Sequence, residues 1–268
     1  MVHPRTLWRG LRVIAHLLTG AILAAAVRLA TRLGRRPTRL PALVRCWHAR
    51  LIAILGIRVQ VSGQPVPGCL LVGNHISWLD IPIIGAQGEI QFLAKGEVRR
   101  WPLLGWLAET ADTLFIERGA YQTTARARQL SERIGSGGCP MIFPEGTTSD
   151  GTRVLPFHPR LFALAQDGAV AIQPVALTYR CRDGTAPDPI APFVGDDRLI
   201  AHLPRVLRHP GLVAELQFLP PLETGRGQRR RAIAERSRQA ILSALGLDAT
   251  SETTRRHPTQ PREVADAA

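Results

Sequence analysis

Lysine is almost missing from this 268-residue chain: of 34 basic residues, Lys95 alone is not an arginine. Set against 21 acidic residues, the balance is +13. A nucleic-acid partner, an anionic membrane surface and a codon bias toward arginine and alanine each account for such a charge, and composition does not choose among them. Cysteine is scarce too. Cys46, Cys69, Cys139 and Cys181 are widely scattered, with no CxxC and no His/Cys cluster. That spacing excludes a zinc module and a disulfide scaffold, fits a reducing compartment, and predicts that the four are small apolar core residues. Three sequence devices are also lacking. Without GxSxG, Ser77 has no nucleophile elbow, which argues against an acyl-serine route. Without GxGxxG or GxxxxGK[ST], nucleotide phosphates have none of their usual cradles.

What is present supports one good-sized α/β domain with appendages. The hydrophobic fraction of 45% provides a core without disulfides. Near the N-terminus, Val13 to Val27 is an uncharged run flanked by Arg5, Arg9 and Arg12 on one side and Arg28, Arg32, Arg35 and Arg36 on the other. Fifteen residues make about 22 Å of helix, short of the ~30 Å hydrocarbon core, although arginine stems at both ends could snorkel. A signal peptide would want a small-residue cleavage site and fewer arginines after the apolar run, so that reading is discounted. Three readings stay open: a short spanning helix, a helix lying in the interface, or a core helix. Residues 1–40 are read as a basic, apolar membrane-anchoring helix, 41–247 as the main domain, and 248–268 as a disordered polar tail containing Pro258 and Pro261.

Within 41–247, Leu43, Trp47, Leu51 and Leu55 recur at helical spacing, as do Ala127, Leu130 and Ile134, and later Ile233, Ile241 and Leu245 before Gly246. Short apolar or β-branched runs lie around them: RVQVSG, CLLVGN, IQFLAK, TLFIER, PMIFPEG, VAIQPVALTY and LVAELQFLP. Strands alternating with helices predict a mostly parallel central sheet flanked by helices. In such sheets reactive groups gather beyond the carboxyl ends of strands. Three polar clusters fall there: GNHISWLD after CLLV, ERG after TLFI, and PEGTTSDG after MIF.

The first cluster carries a base and a carboxylate. Five residues on one helix would put His75 and Asp80 about 140° apart. The pair therefore works only with His75 on a loop and Asp80 at or near a helix start, where DIPII offers an N-cap aspartate and a first-turn Pro82. There the carboxylate can accept the imidazole Nδ1–H and leave Nε2 as a general base. In the third cluster, Glu145 and Gly146 follow a strand, and Gly146, Thr147 and Thr148 offer backbone N–H and hydroxyl donors to an anion. Arg118 adds a charge suited to phosphate or carboxylate. A base with no protein nucleophile would activate a substrate hydroxyl directly.

These blocks resemble the glycerolipid acyltransferases related to bacterial 1-acylglycerol-3-phosphate acyltransferase. NHISWLD resembles their NHxxxxD block, beginning at Asn74. FLAKGEVRRWPLLGWLAETADTLFIERG resembles their second region through Lys95, Glu97, Pro102, Gly105 and Arg118, and FPEGTTSDG matches the FPEG block. IQPVAL matches their Pro-Val element at Pro174 and Val175, so four blocks stand in the family's order. The resemblance implies that His75 takes the proton of an acceptor hydroxyl and Asp80 orients it. The hydroxyl would attack the thioester of an acyl-CoA or acyl carrier protein, while Asn74, Arg118, Glu145, Gly146, Thr147 and Thr148 shape the substrate site. It also implies membrane lipids as partners, no metal or cofactor beyond the acyl donor, no nucleic acid, and a place on the cytoplasmic face of a bacterial inner membrane. One departure bears on the acceptor. Many phosphatidate-forming members carry arginine where this chain has Thr148, and FPEGTTSDGTRVLPF resembles instead the subgroup that includes lyso-ornithine-lipid acyltransferases. Arg153 or His158 could supply the missing charge. A thioesterase-like hydrolase, with water in place of the acceptor, is the rival chemistry.

Overall fold

The computed structural model describes residues 3–35, 37–116, 124–165, 170–183, 187–225 and 227–247. The expected tail at 248–268 lies outside them. Among the described residues, seven strands form one sheet: β1 (Ile57–Ser62), β2 (Cys69–Gly73), β3 (Ile90–Lys95), β4 (Leu114–Ile116), β5 (Cys139–Ile142), β6 (Ala171–Arg180) and β7 (Leu212–Phe218). Their spatial order is β1-β7-β6-β2-β5-β3-β4. Every neighbouring pair is parallel except β6 with β7, which run antiparallel. The sheet is thus mixed but mostly parallel, and its strands are the seven apolar runs of the sequence.

Among the described residues, seven α-helices accompany it: α1 (Pro4–Arg32), α2 (Leu40–Leu55), α3 (Asp80–Gly85), α4 (Leu104–Thr110), α5 (Thr124–Gly135), α6 (Leu199–Arg208) and α7 (Arg230–Leu245). Both sheet faces are covered, which is why β2 reads as an unbroken apolar run. Leu71 joins a core with Ile54, Ile83 and Val206 from α2, α3 and α6. Its neighbours Leu70 and Val72 point the other way, into a second core with Ile134 of α5 and Ile241 of α7. Gly246 ends α7 in the left-handed region, at φ +66°.

One expectation changes on folding. Cys69 and Cys139 are buried, but Cys46 is exposed and Cys181 is half-buried, because the first lies on the outer side of α2 and the second just past the end of β6. Along α2, Leu55 is buried in the core and Leu51 packs against it; toward the start of the helix, the stripe of Leu43, Trp47 and Leu51 faces α1. With Leu17 and Gly20 of α1 it lines an apolar cavity of about 490 Å³.

Helix α1 has two apolar faces. Val13, His16, Gly20 and Ala24 are buried against the fold, while Leu7, Leu11, Ile14, Leu18, Ile22, Leu29 and Leu33 form an exposed stripe on the opposite side. Two arginines that the sequence offers for snorkelling instead fasten the helix to the protein. Arg9 donates to the carbonyls of Leu207 (3.2 Å) and His209 (2.7 Å), and Arg28 pairs with Glu109.

Candidate active site

The site forms where β2, β5 and β6 leave the sheet. At the end of β2, Gly73 is closely packed: a Cβ there would come within 2.5 Å of Met141 Cε and 3.3 Å of the Val175 carbonyl, so the methionine end would have to move. The chain then turns through Asn74, whose amide braces β6. Its Nδ2 donates to the Leu177 carbonyl and its Oδ1 accepts the Leu177 N–H, both at 2.9 Å. Asn74 is therefore buried scaffolding for the loop (1% exposed).

His75 follows on the loop and Asp80 begins α3, the arrangement that the five-residue spacing requires. Asp80 is the first helical residue, not the N-cap, which is Leu79. Its carboxylate turns back over the loop, and Oδ2 meets His75 Nδ1 at 2.7 Å. The same oxygen accepts the backbone N–H groups of Ile76 (2.7 Å) and Ser77 (3.0 Å). On the other side, Oδ1 accepts the hydroxyl of Tyr179 at 2.6 Å. Asp80 is wholly buried, so four donors replace the water that an ionised carboxylate would otherwise require. With Asp80 accepting at Nδ1, the imidazole carries its proton there and leaves Nε2 as the acceptor nitrogen. His75 keeps 19% of its side chain exposed and stacks on Phe143, with ring centroids 4.1 Å apart.

The loop after β5 closes over this pair. Glu145 accepts the His75 backbone N–H (2.8 Å) through Oε1 and the Leu155 N–H (2.9 Å) through Oε2. Burial pushes its carboxyl up to about 7, against the pull of those two donors. Leu155 is held in turn by the buried Arg238 of α7, whose guanidinium donates to the carbonyls of Val154 and Leu155. Gly146 sits at φ +69°, a conformation that side chains rarely adopt, with the His158 ring packed over it. Of the two groups considered as replacements for the missing arginine, both are exposed, and His158 is the one whose ring lies against the FPEG turn.

The expected anion cradle is only partly available. The Gly146 N–H donates to the Phe143 carbonyl (3.1 Å), and the Thr148 hydroxyl donates to the Phe193 carbonyl. Both are used to build the loop; Thr147 is exposed. Phe193 belongs to a strap after β6 that also donates its N–H to Ile76 (3.0 Å). His202 anchors the strap, accepting from Trp78 Nε1 (3.0 Å) and donating through Nε2 to Ile190 (2.8 Å) and Pro192 (3.1 Å). Arg118 lies outside the described residues. Among the described residues, no cluster of three metal-ligating side chains occurs.

Tyr179, Phe143 and Arg238 were not identified from sequence. Tyr179 had one legible sign, since it alternates with Val175 and Leu177 on a strand and is a hydroxyl among aliphatic residues. The apolar cavity between α1, α2 and α4 reaches Phe92 and Trp78. Phe92 stacks on Phe143 at 6.4 Å, so an aromatic wall joins the cavity to His75.

A buried imidazole–carboxylate pair, an FPEG turn bound to it and an apolar cavity alongside lie together at the carboxyl edge of a mostly parallel sheet. Comparison with known proteins gives the family. Residues 58–178 match the Acyltransferase family model. The chain is 45% identical over 259 residues to the lyso-ornithine lipid O-acyltransferase of Pseudomonas aeruginosa, covering 96% of this chain and 99% of that one. It is 32% identical over 203 residues to the 1-acyl-sn-glycerol-3-phosphate acyltransferase of Neisseria gonorrhoeae, covering 74% of this chain and 78% of the other. The crystal structure of the 1-acyl-sn-glycerophosphate acyltransferase of Thermotoga maritima shares the fold, with a TM-score of 0.59 at 19% identity, covering 94% of this chain and all of that one. This chain belongs to the acyltransferase family and is an acyltransferase.

Glu145 generates a pH prediction. Its folded-state carboxyl is raised above the unfolded value of 4.5, so the native state binds more protons between about pH 4.5 and 7. Stability is then highest below the unfolded value and falls as pH rises through about 7, by roughly 1–3 kcal/mol. Urea unfolding at pH 5 and pH 8 should show this decline in the wild type. Glu145→Gln, though less stable at pH 5, should show a clearly flatter dependence.

Proposed function

We propose that this protein is a membrane-bound O-acyltransferase that moves a fatty acyl group from acyl-CoA or acyl carrier protein to the free hydroxyl of a lysolipid, with lyso-ornithine lipid as the acceptor. The observation that carries the reaction is the 2.7 Å contact between His75 Nδ1 and the buried Asp80 carboxylate. In this reading Nε2 takes the acceptor hydroxyl proton as the oxygen attacks the thioester carbonyl. The C–O bond forms, the C–S bond breaks, and the imidazolium returns its proton to the departing thiolate. Asp80 offsets the charge of that imidazolium. A thioester needs no covalent enzyme intermediate for this, in keeping with the lack of a nucleophile elbow. The apolar cavity takes an acyl chain, and Phe143 forms the wall between that chain and the base.

Two observations support lyso-ornithine lipid over a phosphomonoester acceptor. The relative so named matches nearly the whole chain at 45% identity, and Thr148, a neutral residue whose hydroxyl is spent on Phe193, stands where many phosphatidate-forming members carry arginine. Acyl transfer by purified protein in detergent should give product with lyso-ornithine lipid and little with 1-acylglycerol-3-phosphate; the reverse preference overturns this acceptor. His75→Ala should lower the rate by ~10²–10⁴-fold while the protein stays folded. Free fatty acid released at the same rate without any acceptor would identify a hydrolase instead.

In the same reading, α1 lies in the membrane interface on the cytoplasmic face. One of its faces is docked on the protein and Arg9 and Arg28 bind it to the fold near each end, so it is the outer stripe that meets lipid. The arginines of the first 40 residues favour an anionic leaflet, each contributing ~1 kcal/mol near its surface. The triple variant Leu11→Glu, Leu18→Glu, Ile22→Glu should move the protein from membranes to the soluble fraction and leave its melting temperature nearly unchanged. Retention in alkaline-washed membranes would instead indicate a spanning helix.

A further inference from the structure

Tyr179 lies four residues beyond Val175 of the family block, on the same strand, is 3% exposed, and sends its hydroxyl 2.6 Å to Asp80 Oδ1. Packing alone would be satisfied by phenylalanine, because Tyr179 sits in an apolar cluster with Leu177, Leu216 and Ile83. The hydroxyl has a different task. Asp80 Oδ2 already holds three donors, from His75, Ile76 and Ser77, while Oδ1 faces β6. Burial and the adjacent Asp80 charge hold the phenol well above its ordinary titration range, so it stays a donor throughout the working pH range.

We propose that Tyr179 is a positioning residue for acyl transfer: its hydroxyl fixes the carboxylate plane of Asp80 and shares its charge, and so sets the tautomer and angle of His75. This rests on the acyl-transfer reading for its kinetic consequence and on the geometry alone for its effect on the imidazole. Asn74 explains why β6 can serve as the reference. Its two bonds to Leu177, two residues before Tyr179 on the same strand, lock the histidine loop and the tyrosine strand into one register. A hydroxyl on β6 therefore reports the strand position to the carboxylate on α3. Without it, negative charge concentrates on Oδ2, the bond to Nδ1–H tightens, and the carboxylate loses the one donor that holds Oδ1 against rotation about the Cβ–Cγ bond.

The test is Tyr179→Phe in the full-length protein in detergent. The readouts are kcat and KM for both substrates, the melting temperature, and the downfield Nδ1–H proton resonance of His75, assigned by its loss in His75→Gln. The expected result is a fall in kcat of about tenfold or more with KM values within about twofold, as loss of a charge-assisted bond behind the base implies. The resonance should move further downfield, and the low-pH limb of the kcat profile should shift. The titratable groups set against Asp80 are His75 from its own loop, Glu145 from the β5 exit and Tyr179 from β6. Because Glu145 titrates near 7, the His75 resonance is what assigns the shifted limb. Placing 3-fluorotyrosine at position 179 restores the donor and should return kcat to within about threefold of wild type. Wild-type kcat with an unmoved resonance in Tyr179→Phe would overturn the proposal. So would a fluorotyrosine protein as slow as the phenylalanine variant, or a loss that only follows a drop in melting temperature. Should the wild type transfer no acyl group, the acyl-transfer reading fails, and the resonance alone still decides whether Tyr179 governs His75.

Discussion

The site depends on one buried carboxylate. Asp80 has no exposure to water, and an ion so placed survives only if the protein supplies the hydrogen bonds that it has lost. Four groups do so, from three sources: an imidazole, two backbone amides of the same loop, and a phenol from β6. Meeting that demand decides most of the local structure. The loop must curl so that the Ile76 and Ser77 amides face inward, α3 must start at Asp80, and β6 must hold Tyr179 opposite. His75 is then held by geometry that the carboxylate already requires.

Around this centre, the three loops are stitched to one another more than to the sheet. The backbone of His75 donates to Glu145 and accepts from Ser149 (2.8 Å). Ile76 accepts from Phe193, and Thr148 donates to that same residue. In the proposed reaction the base takes up a proton and gives it back without moving, and such mutual bracing helps, since reorganisation at the moment of reaction raises the barrier. Glu145 is the costly member of the set. Its burial is offset by two amides, one of them kept in place by Arg238 on α7, so a residue far along the chain supports the backbone of the His75 loop.

The sheet was legible in the sequence because central strands such as β2 and β5 are buried on both faces, and all seven strands read as separate short apolar or β-branched runs. His75 and Asp80 were legible because a spacing of five makes chemical sense only across a loop-to-helix junction. Other features depend on long-range contacts that no local pattern carries. Tyr179 meets a carboxylate 99 residues earlier, and Arg238 meets carbonyls 84 and 83 residues earlier. Thr148 read as a ligand donor and is instead a loop tie, because its partner, Phe193, arrives from a strap that the sequence does not place. The helical stripe on α2 was correctly periodic, but periodicity does not say whether an apolar face meets a core or a cavity. Helix α1 was ambiguous for a related reason: it is apolar on opposite faces, one for the protein and one for the surroundings.

The most direct measurement of the central claim is the acyl-transfer rate of Asp80→Asn beside that of the wild type, with the fold of each checked by circular dichroism. Asparagine keeps the shape but removes the charge and offers an amide where Nδ1–H must be accepted. The account predicts a folded protein slowed by ~10²–10⁴-fold, because His75 loses both its tautomer and the counter-charge for its imidazolium. A folded Asp80→Asn protein with close to the wild-type rate would contradict it.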